Sequence, residues 1–160
     1  MPLHSQNIMA QLFYAFTAVV TSLSCPSGWL VGPVGNCYKF VTNVQATWDE
    51  GAKICSDMGG ALITLESQLE LHWLRDYRNP QTDYLTVWTG GRKSKGQWVW
   101  KNPVEGELRF NIANWAPGEP NDFKGNIEDC IEAYGINNGR KWNDHLCTVR
   151  HPVLCERNQI

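Results

Sequence analysis

The sequence predicts an α+β domain in which two short helices come before a set of antiparallel strands. Two capping-box patterns in the first half of the chain predict the helices. Short runs of alternating bulky and polar residues in the second half predict the strands. Six cysteines, all after residue 24, predict a disulfide framework. The length of 160 residues favours one domain, and a net charge of −2 provides no electrostatic footprint for nucleic acid or an anionic membrane.

The first 24 residues differ from the rest of the chain because they contain no Lys, Arg, Asp or Glu. An apolar stretch from residue 8 to residue 20 is followed by Ser22 and Ser24, small residues two positions apart, as before a signal cleavage site. We predict a secretory signal over residues 1–24 and a secreted, extracellular domain over residues 25–160. A buried N-terminal helix is the alternative, since the usual positive n-region is missing. The apolar run is short and lacks a basic flank, and no second one follows, so no membrane span is expected.

A hairpin and a first helix are expected directly after this segment. Glycine and proline turn residues predict a hairpin within residues 25–40. Thr47 and Glu50 form a capping-box pattern that begins a helix over about residues 47–58. Two consecutive glycines after that run are expected to end the helix.

A second capping-box pattern, Ser67 with Glu70, begins the second helix, which Pro80 is expected to stop. Its apolar stripe faces the core and consists of Leu71, Leu74 and Tyr77. The β-rich runs that follow predict strands at residues 85–89, 97–100, 130–134, 139–142 and 153–156. Residues 102–129 show no convincing periodicity, and a loop of that length is uncommon in a compact domain unless it is functional or disordered. Because this loop ends in a group of carboxylates, we favour a functional role.

The cysteines indicate three disulfides, since their number is even and the chain is expected to be secreted. A zinc site or free thiols are the alternative, but the sequence has no Cys-x-x-Cys pair of the kind that zinc sites contain. The predicted hairpin would bring Cys25 and Cys37 close enough to pair. Spacing alone does not decide how the remaining cysteines pair, namely Cys55, Cys130, Cys147 and Cys155.

Two segments of the second half each combine a carboxylate with an amide. Glu119 and Asn121 flank a proline, whereas Asn143 and Asp144 are adjacent and follow a tryptophan. Calcium prefers such hard oxygen ligands, because it takes many of them in a flexible shell. Either segment alone is more simply a turn, since Asn and Asp favour turns. Both together, with Glu128 as a further carboxylate and the cysteines as a frame, predict one Ca²⁺ at the surface.

These residues resemble the C-type lectin-like domain family, in its long form with an extra N-terminal hairpin. The resemblance extends over residues 25–156. Trp88-Thr89-Gly90-Gly91 is similar to the family's Trp-Ile-Gly-Leu core motif, with two departures. Glu119-Pro120-Asn121 is similar to its mannose-type sugar motif, and Trp142-Asn143-Asp144 to the partner of that motif. The resemblance implies two helices packed on small antiparallel sheets with a long calcium-binding loop region. It also implies a cis peptide bond before Pro120 and the disulfides Cys25–Cys37, Cys55–Cys155 and Cys130–Cys147.

The resemblance further implies a calcium-dependent carbohydrate-binding domain. One Ca²⁺ would be held by the side-chain oxygens of Glu119, Asn121, Glu128, Asn143 and Asp144, and the same residues would bind the sugar. Two neighbouring sugar hydroxyls would complete the shell around the ion, and Glu-Pro-Asn is expected to favour mannose- and N-acetylglucosamine-type glycans. The Gln-Pro-Asp expected for galactose is absent. Because a shallow site binds one sugar weakly, we expect a homo-oligomer that gains avidity.

Many members of the family carry an auxiliary calcium, for which the sequence is less suited. Asp122 and Asp129 match two of its ligands. The turn that should supply the other acids contains Arg92, Lys93 and Lys95 instead, and these residues would repel a cation. We expect no auxiliary ion, and Asp122 and Asp129 would then be solvated loop acids.

Several alternatives remain open from the sequence. Glu119 and Glu128 could form a glycosidase acid/base pair, but nothing nearby would separate their pKa values, so no enzymatic activity is expected. A lectin-like domain that binds mineral, ice or protein is the main rival, followed by a lectin with galactose or N-acetylgalactosamine preference. His145 and His151 lack the helical spacing of a metal-binding pair and are expected to be surface or packing residues.

Overall fold

The computed structural model describes residues 24–160, so the predicted signal over residues 1–24 lies outside the described residues except for Ser24. Two helices are present there, α1 (Trp48–Asp57) and α2 (Gln68–Asp76). The strands are β1 (Leu30–Val31), β2 (Asn36–Ala46), β3 (Ala61–Leu62), β4 (Val87–Ser94), β5 (Gln97–Asn102), β6 (Gly106–Arg109), β7 (Cys130–Ala133), β8 (Trp142–His145) and β9 (His151–Asn158). The α+β prediction is confirmed. Neither helix of the described residues is long and apolar enough to cross a membrane.

Both helices begin at their capping boxes, as predicted. The Glu50 backbone N–H donates to the Thr47 hydroxyl, and the Glu50 carboxylate accepts the Thr47 N–H in return. The same reciprocal pair joins Ser67 and Glu70 at the start of α2. Because Tyr77 already has extended backbone angles, α2 ends before Pro80 is reached.

The strands form a branched sheet with the order β1-β2-β9-β4-β5-β6. β3 pairs with β9, β7 pairs with β4, and β8 pairs with β7. The pairings are antiparallel except for β4 with β9, which run parallel where Trp88 lies opposite Val153. In the β7–β8 pair, Ile131 lies opposite Asp144 and Glu132 opposite Asn143. This register places the amide–carboxylate pair of β8 on a rigid strand rather than on a loop.

Tryptophans connect the core to the helices and to the loops. Trp88, Trp100 and Trp142 are fully buried. The indole N–H of Trp88 donates to the Ala46 carbonyl at 2.8 Å, next to the start of α1. Trp142 packs edge-on against Trp100, with ring centroids 5.3 Å apart. Trp142 is the first residue of β8, so its burial fixes the position of Asn143 and Asp144, which follow it.

The second half departs from the predicted strands at two places. The strand expected at residues 139–142 is wrong, because a 3-10 helix (Ile136–Asn138) comes first and Gly139 and Arg140 have left-handed backbone angles. β8 therefore begins at Trp142. The strand β6 lies inside the stretch of residues 102–129 for which no periodicity was recognised. It pairs with β5 and has no buried residue of its own, so it carries little hydrophobic signal.

The three disulfides join Cys25 to Cys37, Cys55 to Cys155, and Cys130 to Cys147. The pairing implied by the family resemblance is confirmed. The second bond links α1 to β9, and the third links the start of β7 to the segment after β8. The β7–β8 hairpin, with the carboxylates around it, is therefore covalently closed at its open end.

Candidate metal centre

Backbone pairing brings the 114–119 segment alongside β8. The Trp142 N–H donates to the Asn114 carbonyl at 2.9 Å, and the Ala116 N–H donates to the Trp142 carbonyl at 2.8 Å. The Glu119 N–H then donates to the Ala116 carbonyl at 3.1 Å, which closes a turn. The peptide bond between Glu119 and Pro120 is cis. Glu119 thus lies next to the residues that follow Trp142, although it is more than twenty positions away in the chain.

Asp144 anchors the Glu-Pro-Asn segment from the other side. Its carboxylate is fully buried and accepts the backbone N–H groups of Asn121 at 3.0 and 3.1 Å and of Asp122 at 2.9 Å. Hydrogen bonds to an ionised acceptor are stronger than neutral ones, so Asp144 has a structural as well as a chemical role. The two segments that the sequence singled out therefore meet.

Glu128 is held by a short loop that closes on itself. Its carboxylate accepts the Phe123 backbone N–H at 2.8 Å, and its own backbone N–H donates to the Asp122 carboxylate at 3.2 Å. The residue is 5% exposed. Glu128 is thus a buried carboxylate at the end of a loop, residues 121–127, whose side chains are exposed.

Negative charge accumulates around Glu119. Burial raises the pKa of the Glu119 carboxyl, and a hydrogen bond with Asp144 and the charge of Asp144 raise it further. The charges of Glu128 and Glu132 act in the same direction. One oxygen of this carboxylate, Oε2, is buried and has no hydrogen-bond partner within the described residues. A cation would relieve both the unpaired oxygen and the crowding of like charges, so the donor set fits Ca²⁺.

Glu132 is a further carboxylate near Glu119, and the sequence did not identify it as a site residue. It is 3% exposed, and its Oε1 accepts a hydrogen from the Asn143 amide nitrogen at 3.0 Å across the β7–β8 pair. This bond fixes which way the Asn143 amide faces, leaving its oxygen for other partners. The signal was available in the strand pattern, because Glu132 lies two positions after Cys130 and so on the same face as a buried disulfide.

The aspartates matched to the auxiliary calcium are paired with a lysine. The Lys93 ammonium lies 3.0 Å from the Asp122 carboxylate and 3.5 Å from that of Asp129. Although burial would lower the pKa of Lys93, hydrogen bonds and charge interactions with the two aspartates raise it overall. Asp122 and Asp129 are therefore ion-paired rather than free solvated acids. Arg92, also expected to repel a cation, pairs with Asp49 at 2.6 Å.

Comparison with known proteins agrees with this architecture. The family profile for the Lectin C-type domain matches residues 44–157. The C-type lectin lectoxin-Phi1 of Philodryas olfersii is 32% identical over 147 residues, which cover 91% of each chain. The carbohydrate-recognition domain of cow CD23, solved in the presence of a GlcNAc2Man3 oligosaccharide, is 27% identical and covers 86% of this chain and 98% of that one, with a TM-score of 0.70. A calcium-independent type II antifreeze protein is 26% identical and covers 87% of this chain and 98% of that one, also with a TM-score of 0.70. The chain therefore belongs to the C-type lectin domain family, whose members are binding proteins rather than enzymes.

Proposed function

We propose that this domain binds one Ca²⁺ and, through it, a glycan of the mannose or N-acetylglucosamine type. The ligands are the side-chain oxygens of Glu119, Asn121, Glu128, Asn143 and Asp144. The observation that carries the proposal is the buried Glu119 oxygen, which lies among other carboxylates and has no hydrogen-bond partner in residues 24–160. An uncompensated arrangement of this kind is costly, and a divalent cation is the simplest group that offsets it.

The bound ion would supply two coordination positions for the oxygens of neighbouring sugar hydroxyls. The protein residues do the remaining recognition. Glu119 and Glu128 accept the hydroxyl hydrogens, whereas the amides of Asn121 and Asn143 donate to the hydroxyl oxygens. Asn143 is suited to this role, since only one of its two amide hydrogens is taken by Glu132.

The rim of the site adds apolar and basic side chains. Phe123 is 56% exposed and Ile127 is 75% exposed, on the loop that carries Glu128. The Lys124 ammonium lies 5.0 Å from the Phe123 ring centroid. We infer that Phe123 and Lys124 contact the sugar that follows the primary one, because they border the calcium ligands and their side chains are exposed to solvent.

The domain is proposed to be secreted, with residues 1–24 as signal and residues 25–160 as the carbohydrate-recognition domain. The three disulfides support an oxidising, extracellular location. A single shallow site binds a monosaccharide with a Kd of about 1 mM, or about −4 kcal/mol. We therefore propose a homo-oligomer, in which several sites act together.

Chromatography on immobilised mannose tests the proposal. The protein should be retained in calcium and released by EDTA. Retention that persists in EDTA would contradict the calcium bridge and would favour calcium-independent binding, in line with the similarity to a calcium-independent type II antifreeze protein. Release by galactose at concentrations where mannose fails would reassign the sugar class to galactose or N-acetylgalactosamine.

A matched pair of asparagine variants tests the ligand assignment. Asn143→Asp removes an amide donor and adds a carboxylate opposite Glu132, so it should abolish retention and calcium binding. Asn138→Asp makes the same chemical change at an exposed position in the 3-10 helix and should behave as wild type. Urea unfolding of both variants verifies that they are folded. Equal retention of Asn143→Asp and Asn138→Asp would refute the assigned role.

A further inference from the structure

A second group of metal-ligand side chains lies next to the proposed calcium site, since His145 Nδ1 is 3.7 Å from the Glu128 carboxylate and Glu132 accepts a hydrogen bond from Asn143. It consists of Glu132 on β7, His145 at the end of β8 and His151 at the start of β9. One ligand atom from each residue lies within 4.8 Å of the other two. The three residues lie on three different strands of the sheet, so the helical ligand spacing of a histidine pair does not describe the group.

Two of these ligand atoms are buried and make no hydrogen bond. Glu132 Oε2 and His151 Nε2 are only 2.7 Å apart, yet the imidazole nitrogen is not aligned for a hydrogen bond with the oxygen, and neither atom has another partner within the described residues. The Glu132 side chain is 5% exposed. A metal ion bound by both atoms would satisfy them together, because each would direct a lone pair at the ion.

The chemistry of the group differs from that of the calcium site. Imidazole nitrogen is a poor partner for calcium and a common ligand of zinc and other transition metals, and two histidines with one glutamate form a known class of zinc site. His145 is 30% exposed and His151 is 20% exposed, so solvent can reach the group and supply a fourth ligand.

We propose that Glu132, His145 and His151 form a site for a divalent transition-metal ion of the Zn²⁺ class, which adjoins the calcium site and shares none of its ligands. A tetrahedral ion with ligand bonds of about 2.0–2.1 Å sets its ligand atoms about 3.4 Å apart, a spacing between the 2.7 Å that separates Glu132 from His151 and the 4.8 Å within which all three ligand atoms lie. The His151 ring packs edge-on against Trp88 at 5.0 Å, and the second Glu132 oxygen keeps its hydrogen bond with Asn143.

Metal binding exchanges one hydrogen bond for a metal–nitrogen bond. The Leu146 backbone N–H donates to His145 Nδ1 at 2.8 Å. A neutral imidazole has one lone pair, so whichever nitrogen binds the ion, the Leu146 amide loses its acceptor. The amide resonance of Leu146 should therefore shift when metal binds, as a local reporter that does not depend on sugar binding.

The test is a titration of the tag-free, disulfide-intact protein with Co²⁺ and Zn²⁺ in excess Ca²⁺. We expect one Co²⁺ per chain, with the visible absorption typical of a four-coordinate nitrogen–oxygen site, and its displacement by Zn²⁺. His151→Gln and His145→Gln should each weaken Zn²⁺ binding by at least about tenfold. His72→Gln, at an exposed position on α2, is the matched control and should leave binding unchanged.

Two further comparisons make the outcome decisive. Glu119→Gln, which removes a proposed calcium ligand, should retain Zn²⁺ binding; loss of it would mean that Zn²⁺ occupies the calcium site instead. If the protein binds no Zn²⁺ in excess Ca²⁺, or if both His145→Gln and His151→Gln bind it as tightly as His72→Gln does, the site does not exist. Because two histidines are tested separately, a folding defect in one variant leaves the other to decide.

Discussion

Glu119→Gln should change the stability of the domain in opposite directions with and without calcium. The substitution keeps the size of the side chain and removes its charge. Without calcium, it removes a negative charge from beside Asp144, Glu128 and Glu132, all of which raise the pKa of Glu119. It also replaces a buried carboxylate oxygen that has no hydrogen-bond partner within the described residues. The variant should therefore be more stable than wild type in EDTA.

The magnitude follows from the exposure of the group. An unsatisfied buried polar atom costs about 1–3 kcal/mol. Glu119 is only half-buried, so the lower end applies and the variant should gain about 1 kcal/mol in EDTA. At a calcium concentration about a hundredfold above Kd, wild type gains about 2.7 kcal/mol from binding, a gain that the variant should lose. Wild type then becomes the more stable protein by more than about 1 kcal/mol.

Urea unfolding with disulfides intact, followed by tryptophan fluorescence at pH 8, measures both differences. Glu105→Gln, at an exposed position before β6, is the control and should keep the full calcium response. Since the folded-state pKa of Glu119 is raised above 4.5, wild type in EDTA loses stability as pH rises from 4.5 through that raised pKa, and the variant lacks this loss. A Glu119→Gln variant that is stabilised by calcium as strongly as wild type would refute the reasoning.

Three other substitutions test features around the site and in the core. Lys93→Met should destabilise the calcium-free protein by about 0.5–1 kcal/mol through loss of the partly exposed pairs with Asp122 and Asp129, and the effect should shrink in 1 M salt (about 3 Å Debye length). Burial raises the pKa of the Glu156 carboxyl to about 8, so wild type should lose stability of the order of 4 kcal/mol as pH rises from 4.5 to about 8. Glu156→Gln should not show this loss. Arg140→Met should cost about 2–4 kcal/mol, since the guanidinium donates to backbone carbonyls of the segment before β4.

Urea unfolding measures all three, and each has its own contrary outcome. For Lys93→Met, a difference from wild type that is the same at low and high salt would exclude the ion pairs as the cause. For Glu156→Gln, stability profiles that run parallel to wild type between pH 5 and pH 8 (roughly the range between the ordinary and raised pKa values) would show that this carboxyl does not titrate as stated. For Arg140→Met, a loss below about 0.5 kcal/mol would mean that water replaces the guanidinium.

Local signals in the sequence predicted the helices well. Each capping box satisfies backbone N–H groups within four consecutive residues, so its effect does not depend on the rest of the fold. The strands were harder to predict. The run before β8 was wrongly predicted as extended because Arg140 has a left-handed backbone, which its buried guanidinium stabilises through contacts about 55 residues away. β6 was missed because its residues are exposed and half-exposed, without alternation of buried positions.

The residues of the candidate site were chosen from the sequence by their chemistry. Acid and amide pairs near two cysteines are visible without a fold, and the structure brings the backbone of Asn121 onto Asp144. Glu132 was missed because its only signal, the two-residue spacing from Cys130, indicates a shared strand face and does not by itself indicate metal chemistry. His145 and His151 were predicted to be surface or packing residues, which agrees with their partial exposure and with the packing of His151 on Trp88. Their proximity to Glu132 was not predicted, because a spacing rule for helices does not describe residues on different strands.

The sequence by itself determined the helix starts, the even cysteine count and the hard oxygen chemistry, because these depend on residue types over short spans. Only the tertiary structure decided which carboxylates lie close together, that Lys93 lies between Asp122 and Asp129, and that Glu132 lies near two histidines. Charge interactions and metal coordination act over a few ångströms of space, whatever the separation along the chain. The packing of β7 against β4 and β8, with β9 on the other side of β4, sets those distances.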